Sequence, residues 1–124
     1  MILSALITQG LSSRVLDICI DSHQIFISPG IINEVLEKLL LKFRVKGPEL
    51  KRVKDFLLNV SHQINPKGRI PIICGDKDDN NILHLSEFVD ADLIITGDKD
   101  LLVLKKYSNT KIINPRMFME KLYY

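Results

Sequence analysis

Cys74-Gly75-Asp76-Lys77-Asp78-Asp79-Asn80-Asn81-Ile82-Leu83, then after a helix-length spacer Leu93-Ile94-Ile95-Thr96-Gly97-Asp98-Lys99-Asp100-Leu101-Leu102, is the stretch on which the fold turns. Between Asp76 and Asp100 stand eight carboxylates (Asp76, Asp78, Asp79, Glu87, Asp90, Asp92, Asp98, Asp100) against two lysines, a local net of −6. The whole chain is +2, so the remainder carries +8. Carboxylates massed at the ends of apolar runs repel one another unless a cation relieves them. Magnesium or manganese, which prefers oxygen ligands, is the natural candidate.

Outward from that stretch, short buried runs alternate with helical spacing. Asp79 or Asn80 caps a helix that turns Ile82, Leu83, Leu85, Ser86 and Val89 inward, and residues 92–96 form a buried strand stopped by Gly97. Residues 101–104 read as a short helix, 111–114 as a strand and 115–122 as a closing helix. Upstream, Leu11, Val15, Ile18 and Cys19 lie on one face of a helix over 11–21, and residues 24–28 form a strand. Ser28-Pro29 opens the next helix, which runs to the Gly47-Pro48 turn, and a further helix follows. Residues 62–64 form a weak edge strand before the Asn65-Pro66-Lys67-Gly68 turn. The alternation predicts an α/β fold, a parallel-sheet three-layer α/β/α sandwich in which 24–28, 92–96 and 111–114 all run parallel.

At 124 residues, 46% hydrophobic and 26% charged, the chain is a single globular domain over 1–124. No apolar run approaches the ~20 residues that span a bilayer, and Met1-Ile2-Leu3-Ser4-Ala5-Leu6-Ile7-Thr8 lacks the positive flank and cleavage site of a signal peptide. Cys19 and Cys74 make neither a disulfide framework nor a zinc cluster. The expectation is a cytoplasmic protein without membrane association.

In an open parallel sheet, sites form beyond the carboxyl ends of the strands. Asp98 and Asp100 follow one strand, Glu34 lies two turns into the helix after another, and Asp79 opens a helix. Converging carboxylates that hold one or two divalent ions suit phosphodiester hydrolysis.

The segments Ser28-Pro29-Gly30-Ile31-Ile32-Asn33-Glu34-Val35-Leu36, Cys74-x-Asp76-x-Asp78-Asp79-Asn80-x-Ile82-Leu83 and Ile94-Ile95-Thr96-Gly97-Asp98-Lys99-Asp100-Leu101-Leu102 resemble the PIN-domain nucleases. Within that family they look like the toxin components of toxin–antitoxin pairs. The resemblance runs from Leu3 to Phe118 with the motifs in family order. It implies a five-stranded parallel sheet and an acidic cluster binding Mg²⁺ or Mn²⁺ to cleave RNA. Carried over, Glu34, Asp79 and Asp98 are the catalytic acids and, with Asp100, the metal ligands. Asp76 and Asp78 are auxiliary acids, and Thr96 orients a ligand or water.

One departure stands beside these matches. PIN domains open with a strand ending in an Asp-Thr-Asn type motif, followed by residues like Val-Leu-Ile-Ser-Ala-Leu. Here the chain begins Met1-Ile2-Leu3-Ser4-Ala5-Leu6. It therefore reads as N-terminally truncated, without the first strand and its aspartate, through a start assigned too late or as a shortened copy. Weak or absent ribonuclease activity is the consequence expected of these 124 residues. The lost strand also leaves a gap, to be met by closure of 24–28 on 92–96, insertion of Met1–Leu3, or a second chain, with a homodimer expected.

Each assignment has a plainer counterpart. Lys38 lies at i+4 from Glu34 and makes an ordinary ion pair. Asp79 can be a helix cap, Asp76 a solvated loop residue and Asp98 a turn residue. Lys42, Arg44, Lys46 and Arg52, around the Gly47-Pro48 turn, can contact RNA phosphates or simply form a solvated face. An inactive PIN-fold module that binds RNA or an antitoxin protein is the rival to the nuclease. A phospho-receiver domain also places acids at strand ends, but its acidic pair follows the first strand, which does not fit here.

Overall fold

The computed structural model describes residues 11–121. Helix α1 (Leu11–Ser22) buries Val15 and Cys19 of the expected stripe together with Leu16, while Ile18 is half-buried. After it, β1 (Phe26–Ile27) ends at Ser28, whose Oγ accepts the Ile31 N–H at 3.2 Å. Pro29 fills the first helical position, where its missing N–H costs nothing, and α2 (Pro29–Phe43) follows. Arg44 stops α2 in the left-handed region at φ 53°, and α3 (Gly47–Val60) packs back against it. Ile27, Ile32, Val35, Leu39 and Leu57 form one core cluster between these elements. The edge strand β2 (His62–Gln63) pairs with β1 in parallel, Phe26 opposite His62.

The second half begins with α4 (Lys77–Phe88), which leads through a tight turn at Asp90 into β3 (Leu93–Ile95). The short α5 (Lys99–Leu102), β4 (Lys106–Tyr107), β5 (Thr110–Ile113) and α6 (Pro115–Glu120) complete the described chain. β3 and β5 are parallel, Ile94 opposite Ile112, while β4 folds back antiparallel on β5. On one face of this sheet Leu83, Leu101, Ile94 and Ile112 pack together; on the other, Val15, Cys19, Ile113 and Phe118 do. The mixture of helices with parallel strands bears out the α/β reading. No helix among the described residues is long and apolar enough to cross a membrane.

Three expectations are corrected. One sheet was expected to carry all the strands, yet the described strands form two: β1-β2, and β3-β5-β4. β1 and β3 both border one cleft without pairing, so direct closure, one of the three expected remedies, does not occur. The β4 hairpin arm escaped the sequence because Lys105 and Ser108, not glycine, take the positive φ angles that flank it. The cap of α4 is Asp76, whose Oδ1 accepts the Asp78 N–H at 2.8 Å, rather than Asp79 or Asn80. The proposed insertion of Met1–Leu3 falls outside the described residues.

Candidate metal centre

The carboxyl end of β3 and the first turn of α4 meet at one point. Thr96, buried at the strand's end, accepts the Asp98 N–H on Oγ1 at 3.0 Å and so turns the chain after Gly97. Asp98 then caps α5, its Oδ1 accepting the Asp100 N–H at 2.9 Å. The side chains of Thr96 and Asp98 thereby hold the backbone that carries both strand-end acids. From the other side comes Asp79, one turn into α4 and only 4% exposed. Asp79, Asp98 and Asp100 each present an oxygen, and these atoms lie within 4.8 Å of one another.

Asp79 is held there by its neighbour. Asn80, also buried, accepts the Ile73 and Cys74 N–H groups on Oδ1 at 3.2 and 2.8 Å and donates to the Cys74 carbonyl at 2.9 Å. This three-bond clamp ties the preceding loop to the helix start. Sequence reasoning treated Asn80 only as a possible cap. No local signal distinguishes it, since Asp76, Asp78, Asp79 and Asn80 are all good capping types.

Electrostatics make the cluster incomplete as it stands. Oδ2 of Asp79 is the one buried side-chain polar atom without a hydrogen-bond partner among the described residues. Burial, followed by the nearby Asp98 carboxylate and the charges of Asp76 and Asp100, pushes the Asp79 carboxyl up to about 7. Burial proves the larger cause, and repulsion adds to it. An orphaned carboxylate oxygen among three carboxylates, all donors being hard oxygen, fits a divalent cation such as Mg²⁺ or Mn²⁺.

The remaining predicted site residues divide. Asp76 and Asp78 lie in the cap and first turn of α4, beside the cluster. Glu34 lines the same cleft but stands outside the group of three, its Oε1 accepting from Lys38 Nζ at 2.8 Å. That bond raises the Lys38 ammonium above its ordinary value, and Lys38 also faces the cleft. Lys42, Arg44, Lys46 and Arg52 are exposed at the α2–α3 corner and do not line the cleft. His84, buried on α4, has Nε2 bonded to the Lys67 carbonyl at 3.0 Å, a structural role.

The sequence model of the family described as "PIN domain" matches residues 1–100. A protein of Methanocaldococcus jannaschii, described as the uncharacterized protein MJ1680, is 29% identical over 133 residues, an alignment covering 96% of this chain and 84% of the relative. No solved structure matches the chain.

Proposed function

Because the chain belongs to the PIN-domain family of nucleases, we propose that it is a metal-dependent ribonuclease of PIN type, the toxin component of a toxin–antitoxin pair. The observation that carries this reading is Asp79, whose buried Oδ2 has no hydrogen-bond partner among the described residues, beside Asp98 and Asp100. Those three residues would hold Mg²⁺ or Mn²⁺, which when bound polarises a phosphodiester and lowers the pKa of a water. The chain's own groups do the positioning. Thr96 fixes the backbone that carries Asp98, and Asn80 anchors the turn that carries Asp79. The basic α2–α3 corner, with Lys42, Arg44, Lys46 and Arg52 exposed, offers positive charge for RNA phosphate at a distance from the cleft.

A second reading is a module that binds RNA or an antitoxin protein without cleaving. The pairing of Glu34 with Lys38 favours it, because the ion pair keeps a fourth acid out of the cluster. Incubation of the chain with a fluorophore–quencher RNA and Mn²⁺ separates the two. Slow cleavage that Asp98→Asn abolishes supports the nuclease. RNA retention on a filter without any Mn²⁺-dependent cleavage supports the binding module.

A further inference from the structure

Electrostatics separate the place where RNA would be cut from the place that can hold it. Residues 76–100 carry −6, so one divalent cation at Asp79, Asp98 and Asp100 leaves −4 and two leave −2. A bound ion attracts the phosphate it touches, but its surroundings stay negative towards the rest of a polyanion. Attraction for the strand as a whole has to come from elsewhere. Between Leu40 and Lys54 the sign reverses: Lys42, Arg44, Lys46, Lys51, Arg52 and Lys54 stand against Glu49, a net of +5. All six cations are exposed, and none makes a salt bridge among the described residues.

That corner is a fixed turn, and it carries an aromatic ring. The Val45 N–H donates to the Leu39 carbonyl at 3.0 Å just beyond left-handed Arg44, and half-buried Val45 packs against the core cluster around Leu57. Lys46 then caps α3, with Pro48 in its first turn. Lys42, Arg44 and Lys46 are therefore presented on a held backbone, with Phe43, 49% exposed, among them. On α3, Arg52 and Phe56 lie one turn apart, both exposed. Cations interleaved with exposed rings are what unpaired nucleotides need, charge for the phosphates and a flat face for a base. Helix α2 joins this corner to the acidic centre. Glu34, Lys38 and Leu41 follow one another at i, i+4 and i+7 on one face. The first two border the cleft, and exposed Leu41 carries the row on towards Arg44. From Glu34 to Arg44 is about 15 Å along the helix, the length of about four or five nucleotides at ~3.4 Å each in a stacked strand.

We infer that the α2–α3 corner is an anchor for single-stranded RNA: Lys42, Arg44, Lys46 and Arg52 hold phosphates and Phe43 stacks on a base, while the same strand runs along α2 to the acidic centre. The inference rests on the ribonuclease reading and adds to it the form of the substrate, unpaired RNA long enough to span both places. Duplex RNA keeps its bases in the stack and offers Phe43 no face. An acidic protein segment would meet the same cations, but it brings no planar base to the ring and no phosphodiester to the metal. RNA brings both on one molecule. Because binding of the non-reacting part of a substrate supports the reaction at the other end, short oligonucleotides should be both bound and cut poorly.

The test is fluorescence anisotropy of labelled RNA with the full chain in EDTA, followed by cleavage assays with Mn²⁺. An unpaired RNA of about 12 nucleotides should bind about tenfold more tightly than a trinucleotide, and more tightly than the same RNA annealed to its complement. Lys42→Gln/Lys46→Gln/Arg52→Gln should weaken binding of the long RNA by about tenfold or more and make its salt dependence shallower by about 2 in log–log slope. Lys106→Gln/Lys111→Gln/Arg116→Gln removes the same charge from exposed positions in the other half and should leave affinity within about twofold. Phe43→Leu keeps an apolar side chain but no ring, and should weaken binding about fivefold. The length and duplex comparisons use the unaltered chain, so they remain decisive if a variant misfolds. Equal affinity for the long RNA and the trinucleotide, or for single strand and duplex, overturns the inference, as does equal loss in both triple variants. So does polyglutamate that binds as tightly as the long RNA with no effect of Phe43→Leu, which assigns the corner to an acidic protein. The binding pattern without any Mn²⁺-dependent cleavage upholds the anchor and removes the nuclease. Cleavage of trinucleotide and long RNA at one rate upholds the nuclease and removes the anchor.

Discussion

The two halves of the molecule use similar materials to different ends. The half built on β1 has two parallel strands of two residues each and a core of Ile27, Ile32, Val35, Leu39 and Leu57. Its helices leave Leu41 at 67% and Phe43 at 49% exposed, and Glu34, its one acid on the cleft among the described residues, is neutralised locally by Lys38. The half built on β3 has three paired strands, with a core cluster on each face. There the acids are set at strand and helix ends, where side chain–backbone bonds hold them together without a compensating lysine. The difference lies in what each acid finds nearby: Glu34 has a lysine one turn on, whereas Asp79, Asp98 and Asp100 have one another. The first acid is neutralised within its own helix, and the other three lie together where a metal can use them.

The sharpest way to break this comparison is to excavate each core in turn. Leu101, fully buried under β3, and Leu57, 2% exposed under β1, are both leucines at the centre of their clusters. Each change to alanine should cost about 2–5 kcal/mol in urea unfolding. Only Leu101→Ala should also weaken Mn²⁺ binding, measured by calorimetry, because Leu101 lies next to Asp100 on the element that Asp98 caps. Equal loss of Mn²⁺ affinity in both variants would show that the halves are not independent supports.

The second prediction concerns pH. Asp79 has its carboxyl raised from 3.8 to about 7. In the range between, the folded chain holds a proton that the unfolded chain releases. Metal-free stability should therefore be fully present below about pH 4 and should fall as pH rises towards about 7, by a few kcal/mol. Asp79→Asn should flatten that slope and make the metal-free protein more stable than wild type at pH 8. Saturating Mg²⁺ should flatten it too, in the wild type alone. A metal-free wild type that gains stability from pH 4 to pH 7 would refute the assignment.

How much of this was legible in the sequence follows from which interactions are local. The helices were readable because apolar spacing and caps are local: Ser28-Pro29 starts α2 where it was expected to. The strands at 26–27, 93–95 and 110–113 fall in or overlap the expected runs, for the same reason. The start of α4 was not, because Asp76, Asp78, Asp79 and Asn80 are all good capping types. Only tertiary burial decides that Asp76 caps while Asp79 and Asn80 turn inward. The convergence of Asp79 with Asp98 was readable from strand-end logic and the family motif. The departure of Glu34 was foreshadowed by Lys38 four residues on, and a choice between ligand and ion pair depends on distances that no spacing contains. The division into two sheets depends on which edges meet, which is a long-range matter.

A third prediction tests the clamp that separates the acidic half from an ordinary loop. Asn80→Ala strips three hydrogen bonds and leaves the Cys74 carbonyl and two amides to find water. The cost should be about 1–3 kcal/mol. Because the clamp sits beside Asp79, Mn²⁺ affinity should fall as well, and Asn80→Asp should not restore it, since a carboxylate cannot donate to the Cys74 carbonyl. Full Mn²⁺ affinity in Asn80→Ala would show that the helix alone holds Asp79 in place.

The smallest effect should come from the opposite wall. Glu34 and Lys38 form a partly buried i,i+4 pair at 2.8 Å, with side chains 18% and 36% exposed. Such pairs contribute about 0.3–0.5 kcal/mol on a helix, and long side chains lose entropy in forming them. Glu34→Gln should therefore shift the unfolding midpoint barely beyond error. Its value lies in Mn²⁺ binding, where the two roles of Glu34 separate. If Glu34 serves only Lys38, Glu34→Gln leaves Mn²⁺ affinity unchanged. If Glu34 leaves Lys38 to join Asp79, Asp98 and Asp100 when the ion arrives, Glu34→Gln weakens binding. Lys38→Met, which frees the carboxylate, then strengthens it. The geometry favours the first outcome, because an acid already bonded to a lysine must give up that bond before it can serve a metal.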